Sequence, residues 1–297
     1  MTNTGVLDDH VRARVSAALP DAAVDAVLQH TGKTVVLAAT VRGQRAVVKV
    51  LADPDPFWAE KFAAELATYR TFEATPPPVP VPRLLAADPT AGILAVTWLP
   101  GVPVHPDRYP PKLNDTTVGL LVDTAARLRT WQTPDGSFAP VFDYPARYTR
   151  YQRLGLLDQA DVAALAALGV VAGAPRMTHG DLLPANVLHQ PTADGAPVVT
   201  GMLDFEFTGL FLPCFDLALL WVLLAHTPGA RQRITAAVGS DPGDLAGFWI
   251  NVAMVCTREL RTHGDLDAGH PLRARLPALS ATWARARQGL RESAGGL

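Results

Sequence analysis

The stretch from Thr178 to Leu188 limits most strongly the folds that this chain can adopt. It reads Thr-His-Gly-Asp-Leu-Leu-Pro-Ala-Asn-Val-Leu, with Asp181 and Asn186 five positions apart. A second segment, Met202 to Glu206, places an aspartate directly after another apolar run. Carboxylate and amide side chains at the ends of short strands can converge on one point. Such groups suit phosphoryl transfer, in which one carboxylate deprotonates a hydroxyl while an Asn and an Asp hold Mg²⁺ on phosphates.

The order of these residues resembles the protein-kinase signature, in which His-Arg-Asp, four residues and an Asn precede Asp-Phe-Gly. It is more similar to the aminoglycoside phosphotransferase family of small-molecule kinases. That family has His-Gly-Asp with Asn five positions on, followed by Asp-Phe-Glu or Asp-Trp-Glu. The resemblance covers about residues 30 to 225. It implies a two-lobed, protein-kinase-like α+β fold, with a small N-lobe containing an antiparallel sheet and a larger, mainly helical C-lobe.

A lysine within an apolar strand also fits the kinase-like order of residues. Lys49 lies in Ala-Val-Val-Lys-Val, where burying its charge is costly unless it meets an anion. A solvent-facing position on an edge strand is the alternative. The helix predicted from Pro56 to Phe72 carries Glu65, which by resemblance pairs with the lysine and aims it at the nucleotide phosphates. Glu60 is the second candidate, and a merely solvated glutamate is the alternative for either residue.

The resemblance assigns the chemistry to three side chains. Asp181 would be the catalytic base that accepts the proton of the acceptor hydroxyl, while Asn186 and Asp204 would hold Mg²⁺ ions that bridge the phosphates. A capping or turn aspartate is the alternative for Asp181. The phosphoryl donor implied is ATP or GTP.

Two further residues are expected to support the loop. His179 is interpreted as structural, donating to backbone near the metal-binding segment, and a proton shuttle is the alternative. Asp216 would hold the loop by accepting backbone N–H groups, because an unpaired carboxylate in its apolar surroundings would be costly. Glu206 is either a weaker metal or water contact or a surface residue.

The N-terminal third shows strand and link patterns. Residues 6 to 29 have apolar positions at helical spacing, with a break at Pro20-Asp21, and predict one or two helices. The runs 34–40 and 44–51 predict a hairpin. Five prolines between residues 75 and 82 predict an extended link.

A strand predicted from Ile93 to Leu99 ends at Pro-Gly. In the resembling fold this is the hinge, where the backbone around Thr97, Trp98 and Leu99 would bind the purine edge. We therefore predict a nucleotide-binding lobe over residues 1–98 and a catalytic and acceptor-binding lobe over residues 99–297. The second lobe has helical patterns at residues 118–131, 159–168, 245–260 and 272–290, whereas residues 134–151 have no clear assignment.

Composition excludes several other classes of protein. A net charge of -2 and a pI near 6.4 give no basic footprint for nucleic acid. The longest apolar run, residues 211–225, is shorter than the roughly 20 residues that span a bilayer, so it predicts a buried helix. The N-terminus has no secretory pattern. Two distant cysteines indicate neither a disulfide scaffold nor a zinc site. These observations predict a cytoplasmic protein without a membrane partner.

The phosphate-binding loop and the acceptor are not assigned by these patterns. No Gly-x-Gly-x-x-Gly precedes Lys49, and a Walker motif ending at Gly32-Lys33-Thr34 would need glycine where Val27 stands. Residues 251–297 hold seven arginines and four acidic residues, which does not favour a polycationic acceptor. The predicted acceptor is a hydroxylated small molecule. One candidate is an antibiotic of the aminoglycoside or nucleoside type, and the other is a primary metabolite such as a sugar or an amino alcohol.

Two other classes of function stay open at this point. One is a catalytically silent nucleotide-binding relative. The other is a metal-dependent hydrolase that uses His179, Asp181 and Asp204, which would need a further histidine such as His189.

Overall fold

A computed structural model describes residues 8–53, 55–192 and 197–296 of the chain. The chain divides into two compact units. Unit 1 comprises Met1–Val102 and Asn186–Thr208, and unit 2 comprises Pro103–Ala185 and Gly209–Leu297. Unit 1 contains an antiparallel sheet and unit 2 is mainly helical, so the predicted α+β fold class is confirmed. The predicted functional division at residue 98 stays a prediction.

The main sheet of unit 1 has five strands in the order β1-β2-β3-β5-β4. Their bounds are Ala22–His30 for β1, Thr34–Val41 for β2, Gln44–Leu51 for β3, Leu84–Asp88 for β4 and Ile93–Thr97 for β5. The predicted hairpin is confirmed as β2 and β3. Its two turn residues, Arg42 and Gly43, have φ of 49° and 76°, as a tight hairpin turn that matches the strand twist requires.

Of the one or two helices predicted over residues 6–29, the structure contains one, and the helical prediction is wrong for the segment after Pro20. Helix α1 covers Asp9–Ala18, but the segment after Pro20 is strand β1. Register shifts between Val24 and Ala26 and between Val27 and Gln29 interrupt its pairing with β2. Such bulges break the two-residue alternation, so the apolar spacing resembled that of a helix. The part of this prediction on residues 6 and 7 lies outside the described residues.

Strand β3 separates the apolar core of unit 1 from the face that carries Lys49. Ala46, Val48 and Val50 are completely buried in a core shared with α1. Lys49 alternates with them and therefore points to the opposite face. The edge-strand alternative for Lys49 is excluded, because β3 pairs with β2 on one side and β5 on the other.

Helix α2 covers Pro56–Ala74, in agreement with the predicted helix. The side chain of Asp55 caps it by accepting from the backbone N–H of Phe57. The proline-rich segment that follows has no regular secondary structure, as predicted.

The remaining strands are short and position the two predicted site segments. They are β6 (Val102–Pro103), β7 (Arg176–Thr178), β8 (Val187–Pro191), β9 (Pro197–Met202) and β10 (Gly209–Phe211). In unit 1, β8 and β9 form an antiparallel pair in a sheet of order β6-β8-β9. In unit 2, β7 pairs antiparallel with β10. Asn186 thus precedes β8, Asp204 follows β9, and His179 follows β7.

The helices of unit 2 agree with the predicted helical patterns and add others. Their bounds are Asp115–Arg129 for α3, Tyr144–Arg153 for α4, Gln159–Val171 for α5, Phe215–Leu223 for α6, Ala230–Val238 for α7, Pro242–Gly264 for α8 and Leu276–Gly295 for α9. All nine residues of α6 are buried, which confirms a buried helix within the apolar run at 211–225. Among the described residues, no helix combines the length and apolarity required to cross a membrane.

The glycine after β5 provides a test of the fold of unit 1. Gly101 has φ of 111°, and a Cβ there would lie 2.7 Å from the backbone oxygen of His189 and would also overlap Thr200. Gly101→Ala should therefore lower the free energy of unfolding by about 2–4 kcal/mol. The matched control is Gly43→Ala, where φ is 76° but nothing lies within 4 Å, and which should cost only about 1 kcal/mol. Equal losses in denaturant unfolding would contradict the packing described at Gly101.

Candidate active site

Lys49 and Glu65 form a buried ion pair in unit 1. The Lys49 Nζ lies 2.6 Å from Glu65 Oε2, and the Tyr69 hydroxyl donates to Glu65 Oε1 at 3.4 Å. Glu65 is only 2% exposed, whereas Glu60 on the same helix is exposed. Glu65 is therefore the glutamate of α2 that pairs with the strand lysine.

The loop after β9 brings two more carboxylates to the same ammonium. Lys49 Nζ lies 2.8 Å from Asp204 Oδ1 and 3.3 Å from Glu206 Oε2. Asp204 has φ of 65°, a left-handed conformation that non-glycine residues rarely adopt and that often marks functional positions. The Asp204 side chain is 35% exposed, against 4% for Glu206. Asp204 is therefore the carboxylate of this group most accessible to a ligand.

The carboxylates around Lys49 stabilise its positive charge. Burial alone would lower the pKa of Lys49, but Glu65, Asp204 and Glu206 outweigh that effect and raise the pKa well above its ordinary value. Burial raises the pKa of Glu65, an effect that the Lys49 charge opposes. Lys49 is therefore a fixed positive charge, and its partners lose their compensation if it is removed.

Lys33 is a member of this group that the sequence patterns did not reveal. It forms an ion pair with Glu206, and its Nζ lies 4.6 Å from the centre of the Trp58 ring. Its backbone oxygen accepts from the N–H groups of Ala52 and Asp53, which fixes the turn between β1 and β2. The available signal is a lysine in the loop just before the lysine-bearing hairpin, but the local pattern around it resembles only the end of an incomplete Walker motif.

We call Lys33, Lys49, Glu65, Asp204 and Glu206 the lysine–carboxylate cluster. Carboxylate oxygens of its three acidic members lie within 4.8 Å of one another. Oxygen ligands of this kind fit Mg²⁺. The second predicted metal ligand, Asn186, lies in the same unit, and its backbone oxygen accepts from the N–H of Leu203 at 2.8 Å, directly before Asp204.

The predicted purine-binding residues are partly engaged within unit 1. The N–H of Thr97 donates to the backbone oxygen of Arg83 at 2.9 Å, and that of Trp98 donates to the oxygen of Arg45 at 3.1 Å. These two N–H groups are therefore used by the sheet and its margin. Recognition of a purine edge at Thr97, Trp98 and Leu99 stays a prediction, to which Leu99 and the backbone carbonyls would contribute.

In unit 2, a buried aspartate organises the His-Gly-Asp loop. Asp216 accepts from the N–H of His179 at 2.9 Å and from that of Gly180 at 3.0 Å. Burial raises the pKa of Asp216, and the charge and N–H of His179 oppose that rise. The N–H of Asp181 in turn donates to His179 Nδ1 at 3.3 Å. These are backbone contacts of the type expected for Asp216; what they contribute to catalysis stays a prediction.

Asp181 has a charged partner that sequence reasoning did not identify. Arg108 Nη1 lies 3.2 Å from Asp181 Oδ1 and 3.3 Å from Oδ2. Asp181 is buried, and Arg108 is about one-third exposed. Their separation by 73 positions left no local pattern by which the pair could be found.

A family model describes this combination of elements. The model of the "Phosphotransferase enzyme family" (APH) matches residues 30–248. The chain belongs to this phosphotransferase family. The resemblance to aminoglycoside phosphotransferases and the predicted enzyme class, a small-molecule kinase, are confirmed at the level of that family. No significant match is found among curated proteins.

Solved structures of phosphotransferases have the same fold. A structure of the GDP and kanamycin complex of APH(2″)-IIIa has 17% sequence identity and a TM-score of 0.62, covering 97% of this chain and 99% of that chain. A choline/ethanolamine kinase family protein from Mesorhizobium loti has 16% identity and a TM-score of 0.60, with coverage of 96% and 99%. A ternary complex of aminoglycoside phosphotransferase APH(4)-Ia with ADP and hygromycin B has 13% identity and a TM-score of 0.55, with coverage of 96% and 97%. At these identities the similarity shows the fold alone.

The Asp216 contacts can be tested by substitution. Asp216→Asn replaces one acceptor oxygen by a donor that would face a buried N–H group, so it should lower the free energy of unfolding by about 2 kcal/mol. Faster hydrogen exchange at the amides of His179 and Gly180 should accompany the loss. The matched control is Asp123→Asn on the exposed side of α3, which should have little effect on either measurement. Unchanged exchange in Asp216→Asn would show that its carboxylate does not hold the loop.

Proposed function

We propose that this family member transfers the γ-phosphoryl group of ATP or GTP to a hydroxyl group of a small molecule. The observation that carries the proposal is the lysine–carboxylate cluster, in which a buried ammonium, its helix glutamate and an accessible aspartate are in contact. The similar structures named above contain GDP with kanamycin and ADP with hygromycin B. Those ligands support a nucleotide donor and a hydroxylated acceptor.

Lys49 and Lys33 are proposed to bind the nucleotide phosphates. In the protein described here their positive charges are matched by Glu65, Asp204 and Glu206. Phosphate oxygens would replace part of those contacts, while Glu65 keeps Lys49 in position from within the unit. A rigidly held ammonium stabilises charge on the transferring group without reorganisation.

Asn186 and Asp204 are proposed to hold Mg²⁺. When bound, the ion would supply positive charge that offsets the negative charge of the phosphates. The residues fit this role because they offer an amide and a carboxylate oxygen, and because the Asp204 side chain keeps one-third of its surface exposed. The side-chain oxygens of Glu206 lie close enough to Asp204 to add a further ligand.

Asp181 is proposed as the catalytic base. It would accept the proton of the acceptor hydroxyl as the oxygen attacks the γ-phosphorus. His179 and Asp216 would be positioning residues in this scheme, because they accept hydrogen bonds from the loop backbone that carries Asp181.

One other class of acceptor and two other functions are alternatives to this proposal. The choline/ethanolamine kinase family protein supports an amino alcohol, or another primary metabolite, as an alternative to an antibiotic and a resistance role. A catalytically silent relative is disfavoured by the presence of Lys49, Asp181, Asn186 and Asp204 together. The hydrolase alternative is disfavoured because, among the described residues, the group of side chains suited to a metal contains three carboxylates and no histidine.

The base assignment predicts a selective loss of turnover. Asp181→Asn keeps the size of the side chain but cannot accept the proton, so transfer to an acceptor should fall by about 10²–10⁴-fold. Nucleotide affinity, measured by titration calorimetry, should stay within about threefold of the original value, because the carboxylate does not bind the phosphates. Acceptor-dependent ADP or GDP release is the activity to measure, and turnover at the original rate would remove Asp181 from this role.

The cluster predicts a matched difference between two glutamates of α2. Glu65→Gln removes the charge that holds Lys49, so nucleotide affinity or turnover should fall by about tenfold. Glu60→Gln removes the same charge from an exposed position of the same helix and should leave both nearly unchanged. Lys49→Met should reproduce the effect of Glu65→Gln or exceed it. Equal effects of the two glutamate variants on nucleotide binding and turnover would contradict the proposed phosphate site.

A further inference from the structure

Arg108 lies where an acceptor hydroxyl would have to approach if Asp181 is the catalytic base, so this inference rests on the proposed function. Its guanidinium contacts both Asp181 oxygens, at 3.2 and 3.3 Å. The guanidinium therefore lies against the oxygens to which an acceptor hydroxyl would have to donate its hydrogen bond. Proton transfer to Asp181 therefore requires that Arg108 move or bind something else.

Arg108 also has a second partner within unit 2. Its Nη2 lies 3.8 Å from Glu259 Oε1, and the same oxygen lies 3.1 Å from Arg258 Nη2. Glu259 Oε2 accepts from the Tyr109 hydroxyl at 2.7 Å. Glu259 is 3% exposed and is contacted from several sides, so its position is fixed. It can retain the partly exposed Arg108 side chain when the guanidinium moves away from Asp181.

The charges around this position favour an anion. We call Arg108, Tyr109, Arg258, Glu259 and Arg275 the Arg108 cluster; the Arg275 guanidinium carbon lies 3.5 Å from the centre of the Tyr109 ring. The guanidinium groups of Arg108 and Arg258 contact the carboxylates of Asp181 and Glu259, and the Arg275 guanidinium adds a third positive charge beside Tyr109. The excess is one positive charge, and planar guanidinium groups bind carboxylate and phosphate oxygens well. A polycation would meet repulsion here, unless it displaced the arginines.

We propose that Arg108 is a specificity-determining residue that binds an anionic group, a carboxylate or a phosphate, on the hydroxylated acceptor. In the absence of such an acceptor, the Arg108 guanidinium contacts the Asp181 carboxylate. When the guanidinium binds the anionic group of the acceptor instead, the Asp181 carboxylate becomes accessible to the acceptor hydroxyl and can accept its proton. The acceptor oxygen then forms a bond to the γ-phosphorus, the bond from that phosphorus to the bridging oxygen breaks, and the nucleoside diphosphate leaves.

Pairs of acceptors in which a carboxylate or phosphate takes the place of one neutral hydroxyl group test the specificity. We would compare gluconate with sorbitol and uridine 5′-monophosphate with uridine, with kanamycin as a polycationic acceptor. The anionic member of at least one pair should have a kcat/KM about tenfold higher or more, which corresponds to one charge-assisted contact. The gluconate pair reports on a carboxylate and the uridine pair on a phosphate.

Three arginine variants separate the role of Arg108 from general charge. Arg108→Met should reduce the preference to within about threefold, mainly by raising KM for the anionic acceptor. Arg108→Lys keeps the charge but not the two-pronged geometry, so it should restore only part of the preference. Arg261→Met is the matched control, because Arg261 lies on α8 like Arg258 but pairs with Asp265 and contacts neither Asp181 nor Glu259. It should leave the preference unchanged.

A measurement without acceptor tests the contact with Asp181 directly. Arg108→Met frees the base, so slow nucleotide hydrolysis by water should rise at least about threefold. The double variant Arg108→Met with Asp181→Asn should lose that rise. No increase in hydrolysis would overturn the inference even if none of the chosen acceptors is a substrate.

The outcomes distinguish the inference from the function on which it rests. Transfer to sorbitol, uridine or kanamycin as efficient as transfer to the anionic compounds, with Arg108→Met unchanged, would overturn the inference and leave the kinase function standing. Absence of both acceptor-dependent and Asp181-dependent nucleotide consumption would overturn the proposed function and the inference together.

Discussion

The burial of one ammonium group in a central strand is the constraint on which unit 1 depends. Lys49 alternates with completely buried valines of β3, so its charge has no route to bulk water except through the face opposite the core. Removing it from water is unfavourable unless carboxylates surround it. Glu65 of α2 and Asp204 after β9 meet that need. The same contacts thus fix the helix and the loop relative to the sheet, and they create the charge pattern on which the proposed phosphate and metal site depends.

In unit 2 the buried charge is negative, and the backbone compensates for it. Asp216 lies in α6, whose other residues are all apolar. Two N–H groups of the His-Gly-Asp loop donate to its carboxylate. A residue needed to stabilise the fold therefore also determines the conformation of the loop that carries Asp181. In both units a buried charge is costly without fixed partners, and fixed partners provide the preorganised geometry that the proposed catalytic roles need.

The two units differ in the excess charge that they leave for a ligand. The lysine–carboxylate cluster has three carboxylates for two ammonium groups, which suits binding of a cation together with phosphates. Around Asp181 and the Arg108 cluster the balance is reversed, with three guanidinium groups for two carboxylates. The first balance fits the phosphate and metal site proposed for unit 1. The second favours an anionic group on the acceptor over a polycation.

The sequence by itself determined the α+β class, the hairpin of β2 and β3, most of the long helices and the identity of the segments carrying Lys49, Asp181 and Asp204. These depend on local periodicity and on motifs a few residues long. The tertiary structure alone decided that residues 22–30 form a bulged strand, because bulges hide the alternation. It also decided which charges meet, since the partners of Lys33 and Arg108 lie 173 and 73 positions away. Contacts over such distances leave no periodic trace in the sequence; they exist only once the chain has folded.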